Sequence, residues 1–259
     1  MLEKDKRIFD RLVEPNIPLY EKNFPLILFW TRKSGCTTIN KWFFFQIGLL
    51  EKVNKEKLGD PHGYREFIFR NEPYYTKGLH NYLLNSSKNT YKLVRNPYRR
   101  AVSSFFQTIS SSWLINIFDS DLSKGLSFKQ YLYHLKKLNS IETIDPHIAQ
   151  QYVEGEECFI QKIIYLEKFT DEITRLEEKY NLKKSPITTI TESPHHFSFG
   201  PFQKMFEKGD FSEKVLSLDH FYGKLPTFES FYDQETKELV GDIYNLDFKA
   251  YGYKTSDLV

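Results

Sequence analysis

Pro25 opens an unbroken apolar run, Leu26 Ile27 Leu28 Phe29 Trp30, of the length and bulk that suit a strand covered on both faces of a parallel sheet. The next eight residues, Thr31 to Thr38, are small and polar. After them Ile39, Trp42, Phe43, Ile47 and Leu50 recur at i, i+3, i+4, i+8 and i+11, which predicts a helix with one buried face. Tyr91 to Arg95 reads as a second strand, followed by Asn96 as a cap and Pro97 at the first helical position. In that helix Tyr98, Ala101, Val102, Phe105 and Ile109 fall on one face, and Arg99, Ser103 and Gln107 on another. A capping box from Ser127 to Gln130 opens an amphipathic helix over 127–139, a third strand lies within 159–166, and helices follow over 170–180 and 235–246. Residues 1–24 are read as a helix and connector. The stretches 51–90 and 185–235, broken by Pro and Gly, are read as irregular coverings. Strands alternating with helices predict an α/β fold with a central parallel sheet flanked by helices.

Composition narrows the class. With 259 residues, 40% apolar and 17% aromatic, the chain can bury a full core and is expected to form one domain over 1–259. A formal charge of +2 is too small for a nucleic-acid binder, but Arg32, Lys33, Arg95, Arg99 and Arg100 concentrate in two short segments. The start of the chain is mixed in charge, with no signal-peptide core and no apolar span of 18 residues, so no integral membrane segment is expected. Two cysteines, Cys36 and Cys158, make neither a disulfide framework nor a structural zinc site, which suits a reducing cytoplasmic compartment.

The polar turn after the first strand carries the chemistry. At a strand-to-helix turn the first helical N–H groups lack partners and face the positive end of the helix dipole, so an anionic oxygen can settle there. Gly35 permits close backbone approach, Lys33 supplies a mobile charge, and Ser34, Thr37 and Thr38 offer hydroxyl donors. The turn reads as a phosphate or sulfate cradle. The Walker A order is absent, because here the lysine precedes the glycine, and this disfavours an ATP-dependent P-loop phosphotransferase, the competing reading. A side chain on a helix leans toward its N-terminus, so Ser103 points back toward Arg95 and the two can grip one anion. The adjacent His195 and His196 lack metal-ligand spacing.

The order Arg32 Lys33 Ser34 Gly35 Cys36 Thr37 Thr38 resembles the 5'-phosphosulfate loop of sulfotransferases that use 3'-phosphoadenosine 5'-phosphosulfate (PAPS), with Arg32 where proline is common. The segment from Val94 to Phe106 resembles the 3'-phosphate motif of the same family, in which a serine follows the arginine by eight residues, as Ser103 follows Arg95. The closing residues 244–253, and Asp145 with His147, are similar to carbohydrate-type members of the Golgi class. The resemblance implies a three-layer P-loop-like fold and transfer of a sulfuryl group to an acceptor hydroxyl on a glycan or glycolipid, with release of adenosine 3',5'-bisphosphate (PAP). It implies no metal. Lys33 would be catalytic, and residues 32–38 with Arg95 and Ser103 would hold the nucleotide. Lys208, in a segment similar to the loop that closes on the 3'-phosphate, would join them. Asp145 and His147 would face the acceptor or, in the other reading of His147, brace a loop. His80, between the two motifs, is the expected base, with His62, Glu66 and Glu72 as competitors. Without an N-terminal anchor the chain resembles a bacterial or cytosolic form, or a trimmed chain. A non-catalytic PAP-binding protein is the third reading.

Overall fold

The computed structural model describes residues 3–14, 16–56, 60–85, 87–138, 140–142, 144–191, 206–217 and 225–256. In chain order these form α1 (Glu3–Val13), β1 (Leu26–Trp30), α2 (Cys36–Gln46), α3 (Leu50–Lys55), α4 (Pro61–Phe67), α5 (Tyr75–Leu84), β2 (Asn89–Val94), α6 (Pro97–Ile109), α7 (Ser112–Ile115) and α8 (Phe128–Lys137). Then come β3 (Lys162–Tyr165), α9 (Phe169–Lys179), α10 (Ile187–Thr191), β4 (Phe206–Glu207), β5 (Leu225–Pro226), α11 (Gln234–Ile243) and α12 (Asn245–Tyr251). The chain divides into two compact units, Met1–Val94 with Val153–Ser193, and Arg95–Tyr152 with Pro194–Val259.

The first unit holds the parallel sheet, in the order β1-β2-β3. Leu26 faces Asn89 and Trp30 faces Leu93, while Tyr91 faces Lys162 and Val94 faces Tyr165. Every residue of β1 is buried, as its unbroken apolar run requires, and its outer edge is closed by a reciprocal backbone pair between Leu19 and Leu28 at 2.9 and 3.0 Å. Ile39, Trp42, Phe43 and Phe44 of α2 are fully buried in the core of this unit. The Trp42 indole donates to Glu177 Oε1 at 2.8 Å, fastening α2 to α9. One charge pair is buried here: Lys92 Nζ lies 2.5 Å from Glu156 Oε2, and the same oxygen accepts the Val153 N–H at 3.0 Å. A lysine in the middle strand is tolerated only because this carboxylate meets it.

The expected irregular stretch at 51–90 is instead largely helical, as α3, α4 and α5. Its breakers sit where helices accept them: Pro61 is at the first position of α4 behind the Asp60 cap, whose carboxylate takes the His62 and Gly63 N–H groups at 3.0 and 3.1 Å. The third strand is shorter than the 159–166 expected: it covers Lys162–Tyr165 and gives way at Leu166 to a 3-10 turn over Leu166–Lys168.

The second unit packs α6, α8 and α11 around Phe105, Phe128 and Phe231, whose ring centroids lie 5.4 to 5.8 Å apart. Both expected caps form. Asn96 Oδ1 accepts the Tyr98 and Arg99 N–H groups at 2.9 and 3.4 Å, and Ser127 and Gln130 make the reciprocal box. The C-terminal helix breaks at Tyr244, so that residues 245–251 form α12 and Asp247 turns inward, fully buried. Asp247 accepts the Tyr152 N–H at 2.7 Å and the Gln151 N–H at 3.0 Å, which a surface carboxylate on a longer helix would not do.

Candidate active site

In the first unit, β1 delivers the chain into a tight turn at residues 31–35. The Ser34 hydroxyl, fully buried, donates to Thr31 O at 2.6 Å and accepts the Thr31 N–H at 3.3 Å. Ser34 therefore shapes the turn from inside. Lys33 adopts a left-handed φ of 66°, rare for a residue with a Cβ, and Gly35 follows at 90°. The φ of Gly35 favours glycine, and a Cβ there would stand 2.5 Å from Leu166 Cδ1 and displace that side chain. The first helical bond of α2 is from Ile39 N–H to Gly35 O at 3.1 Å, leaving the amides of residues 35–38 at the helix mouth.

Cys36 and Thr37 open the first turn of α2 and both meet His62. Its Nε2 is 2.9 Å from Thr37 Oγ1 and 3.7 Å from Cys36 Sγ. Arg65, nearly buried, lies one turn further along α4 with its guanidinium 4.2 Å above the Trp30 ring. Burial works to raise the Cys36 pKa, but the field and hydrogen bond of His62, with Lys33 and Arg65 behind it, outweigh that and hold the thiol at about 6. Arg32 and Lys33 are half-buried, and so are Gly35, Thr37 and the thiol-bearing Cys36, while Thr38 is buried. His80 packs its ring edge-on against Phe9, with centroids 4.7 Å apart, so the histidine that reaches the turn is His62.

In the second unit, Arg95 precedes the Asn96 cap of α6, and Arg99 and Ser103 follow at one and two turns. The Arg95 backbone is gripped twice by Gln151, whose Oε1 accepts its N–H at 2.9 Å and whose Nε2 donates to its carbonyl at 2.8 Å. Asp247 holds Gln151 in turn, which gives the C-terminal Asp a bracing role. The guanidiniums of Arg95 and Arg99 lie 5.3 and 5.7 Å from the centre of the Phe228 ring. Ser103 is 4% exposed, and its hydroxyl finds no hydrogen-bond partner among the described residues; Arg99 Nε is likewise buried and unpartnered. Such groups can bond an oxyanion.

A model of the sulfotransferase family matches residues 19–254 of the chain. The chain belongs to the sulfotransferase family. No curated protein and no solved structure matches it. Membership makes the protein a PAPS-dependent transferase and selects sulfuryl transfer over ATP-dependent phosphotransfer. The parallel sheet among helices agrees with the P-loop-like architecture of that family. The amides at the mouth of α2 and Lys33 suit a phosphosulfate, and the Ser103 hydroxyl and Arg99 Nε, unbonded among the described residues, suit a phosphate.

The sulfotransferase also carries an Asp–His pair in its second unit. Asp145 Oδ1 accepts the His147 backbone N–H at 2.8 Å and lies 2.6 Å from its ring Nδ1, while Ser104 Oγ donates to His147 O at 2.6 Å. Trp113, 54% exposed, sets its ring 5.7 Å from that of His147. Lys208 is exposed, directly after β4. His195 and His196 lie outside the described residues. The sequence puts Arg99 on the Ser103 face without assigning it to the site, and it does not point to Phe228 or Trp113. Arg99 was detectable, since it shares a helix face with Ser103, whereas the aromatic partners come from distant segments that no spacing connects.

Proposed function

We propose that the protein transfers the sulfuryl group of PAPS to a hydroxyl of a carbohydrate acceptor. The observation that carries the donor half is the Arg95, Arg99 and Ser103 face of α6, a charged and partly unsatisfied surface suited to the 3'-phosphate that distinguishes PAPS from ATP. PAPS supplies a sulfuryl group already activated by its link to phosphate. Lys33 and the amides of residues 35–38 stabilise negative charge at the phosphosulfate end, with hydroxyls of Thr37 and Thr38 as further donors. Arg32 and Lys208 add positive charge, and Arg95 with Ser103 binds the 3'-phosphate.

The acceptor half rests on Asp145, His147 and Trp113. A ring whose Nδ1–H is donated to Asp145 offers Nε2 as a proton acceptor, the form a general base needs, and an exposed indole beside it suits the apolar face of a sugar. His147 is therefore the base in this reading, and His80, held against Phe9, is the alternative. The test is incubation with radiolabelled PAPS and a panel of glycans, glycolipids, small alcohols and tyrosyl peptides. Label on a saccharide is expected. Lys33→Ala and His147→Ala should each lower turnover about 10²-fold. Loss in His80→Ala with full activity in His147→Ala would move the base to α5, and PAP binding with no transfer to any acceptor would make the protein a non-catalytic binder.

A further inference from the structure

Resting on the assignment of the phosphosulfate to the turn at residues 31–38, we infer that His62 is a positioning residue that aims the Thr37 hydroxyl proton at the bound anion. Its backbone is fixed first. Asp60 caps α4 through the His62 and Gly63 N–H groups, and Pro61 sets the helix direction, so the imidazole leaves α4 at a defined place.

The ring is then fixed from the side of Arg65. Arg65 Nη1 lies 3.3 Å from His62 Nδ1 and 3.5 Å from Asn40 Oδ1, its guanidinium rests on Trp30, and Asn40 Nδ2 donates to Cys36 O at 2.6 Å. A guanidinium has donors and no acceptor, so Nδ1 must accept and the ring proton of the neutral imidazole sits on Nε2. That Nε2–H points at Thr37 Oγ1, 2.9 Å away, with Cys36 Sγ further off at 3.7 Å.

Consequently Thr37 accepts from His62. A hydroxyl has one hydrogen, and among the described residues Thr37 Oγ1 has no second partner, so this hydrogen is available in the first turn of α2 where the amides of residues 35–38 end. Were the tautomer reversed, Thr37 would spend its hydrogen on the histidine and turn only lone pairs toward the anion. Arg65 thus sets the His62 tautomer, and His62 sets the polarity of Thr37. His62 acts through Thr37 and touches no substrate.

The experiment is a double-mutant cycle on the full chain, read by calorimetric titration with PAP and by turnover with PAPS. His62→Ala and Thr37→Val should each weaken PAP binding about tenfold, the size of one hydrogen bond to a charged group, and the double variant should be no weaker than either single one. His62→Gln, whose amide offers an acceptor and a donor as the neutral ring does, should restore most of the affinity. Should His62→Ala fail to fold, the affinity of folded His62→Gln decides: retention supports the role and loss overturns it. Additive losses, unchanged affinity in His62→Ala, or turnover lost with PAP affinity intact would each overturn it, the last by making His62 the general base. Failure of the wild-type chain to bind PAP would instead overturn the nucleotide assignment itself.

Discussion

Cys36 shows how much one position can owe to its neighbours. In isolation a cysteine titrates near 8.5, and burial raises that further. Here the thiol is held at about 6 by His62, Lys33 and Arg65, so at neutral pH it is a thiolate at the mouth of α2. The sign of the shift predicts reactivity. In a Cys158→Ser background, which removes the exposed second thiol, alkylation by iodoacetamide should be near its plateau at pH 7 and fall as pH drops through about 6. A midpoint near 8.5 would show that His62, Lys33 and Arg65 do not act on the sulfur. PAP at the same turn adds negative charge next to the thiolate, so it should slow alkylation at pH 7 as well as shield the site. The sequence placed Cys36 in the turn. It does not disclose the shift, which depends on His62 and Arg65, 26 and 29 residues away on a helix that its proline and glycine conceal.

Elements were legible where a local rule and the core agreed, and were missed where they diverged. β1, α6 and α8 each have a sharp apolar pattern and appear close to the expected range, whereas α2 ends at Gln46, so that Leu50, the last position of its expected apolar series, begins α3. α4 and α5 were hidden because glycine and proline were read as breakers, although Pro61 stands at a helix start and Gly78 lies within α5 with the Tyr20 side chain 2.9 Å from where a Cβ would be. The break before α12 has no local signal, since it serves Asp247, whose partners are almost a hundred residues earlier. Asp233 tests the capping logic at this scale. It caps α11 through the Thr236 N–H at 2.7 Å and lies 3.2 Å from Lys129 Nζ. Desolvation pushes its carboxyl up, but hydrogen bonds from Thr236 and Lys129 prevail and hold it at about 2. Because the folded value lies below the unfolded one, the contribution is complete above about 4 and is lost as pH falls through about 2. Asp233→Ala should cost about 1 kcal/mol at neutral pH. Asp233→Asn keeps a capping oxygen and does not titrate, so urea unfolding should show its deficit against wild type shrinking between pH 4 and pH 2. A deficit independent of pH would remove Lys129 and the carboxylate charge from the account.

Over the whole chain, the family match spans residues 19–254, and among the described residues no helix is long and apolar enough to cross a membrane. The two segments that the proposed reading assigns to the nucleotide are legible because each is local, a strand end followed by a capped or glycine-led helix. The aromatic supports and the Gln151–Asp247 brace are not, because they assemble from residues 50 to 150 positions apart. The turn at residues 31–38 belongs to one compact unit and the Arg95 face to the other; in the proposed reading the first serves the phosphosulfate and the second a 3'-phosphate. Specificity should then separate by ligand. Adenosine 5'-phosphosulfate, which lacks the 3'-phosphate, should be used about 10²-fold less efficiently than PAPS by the wild-type chain, as expected for loss of charge-assisted hydrogen bonds. Arg95→Ala should lower kcat/KM for PAPS toward the value for the simpler donor while leaving that value nearly unchanged, because the group it binds is absent there. Lys33→Ala should lower both donors alike, since both carry the phosphosulfate. If Arg95→Ala harms the two donors equally, Arg95 supports the fold or the phosphosulfate end, and the assignment of the α6 face to the 3'-phosphate fails.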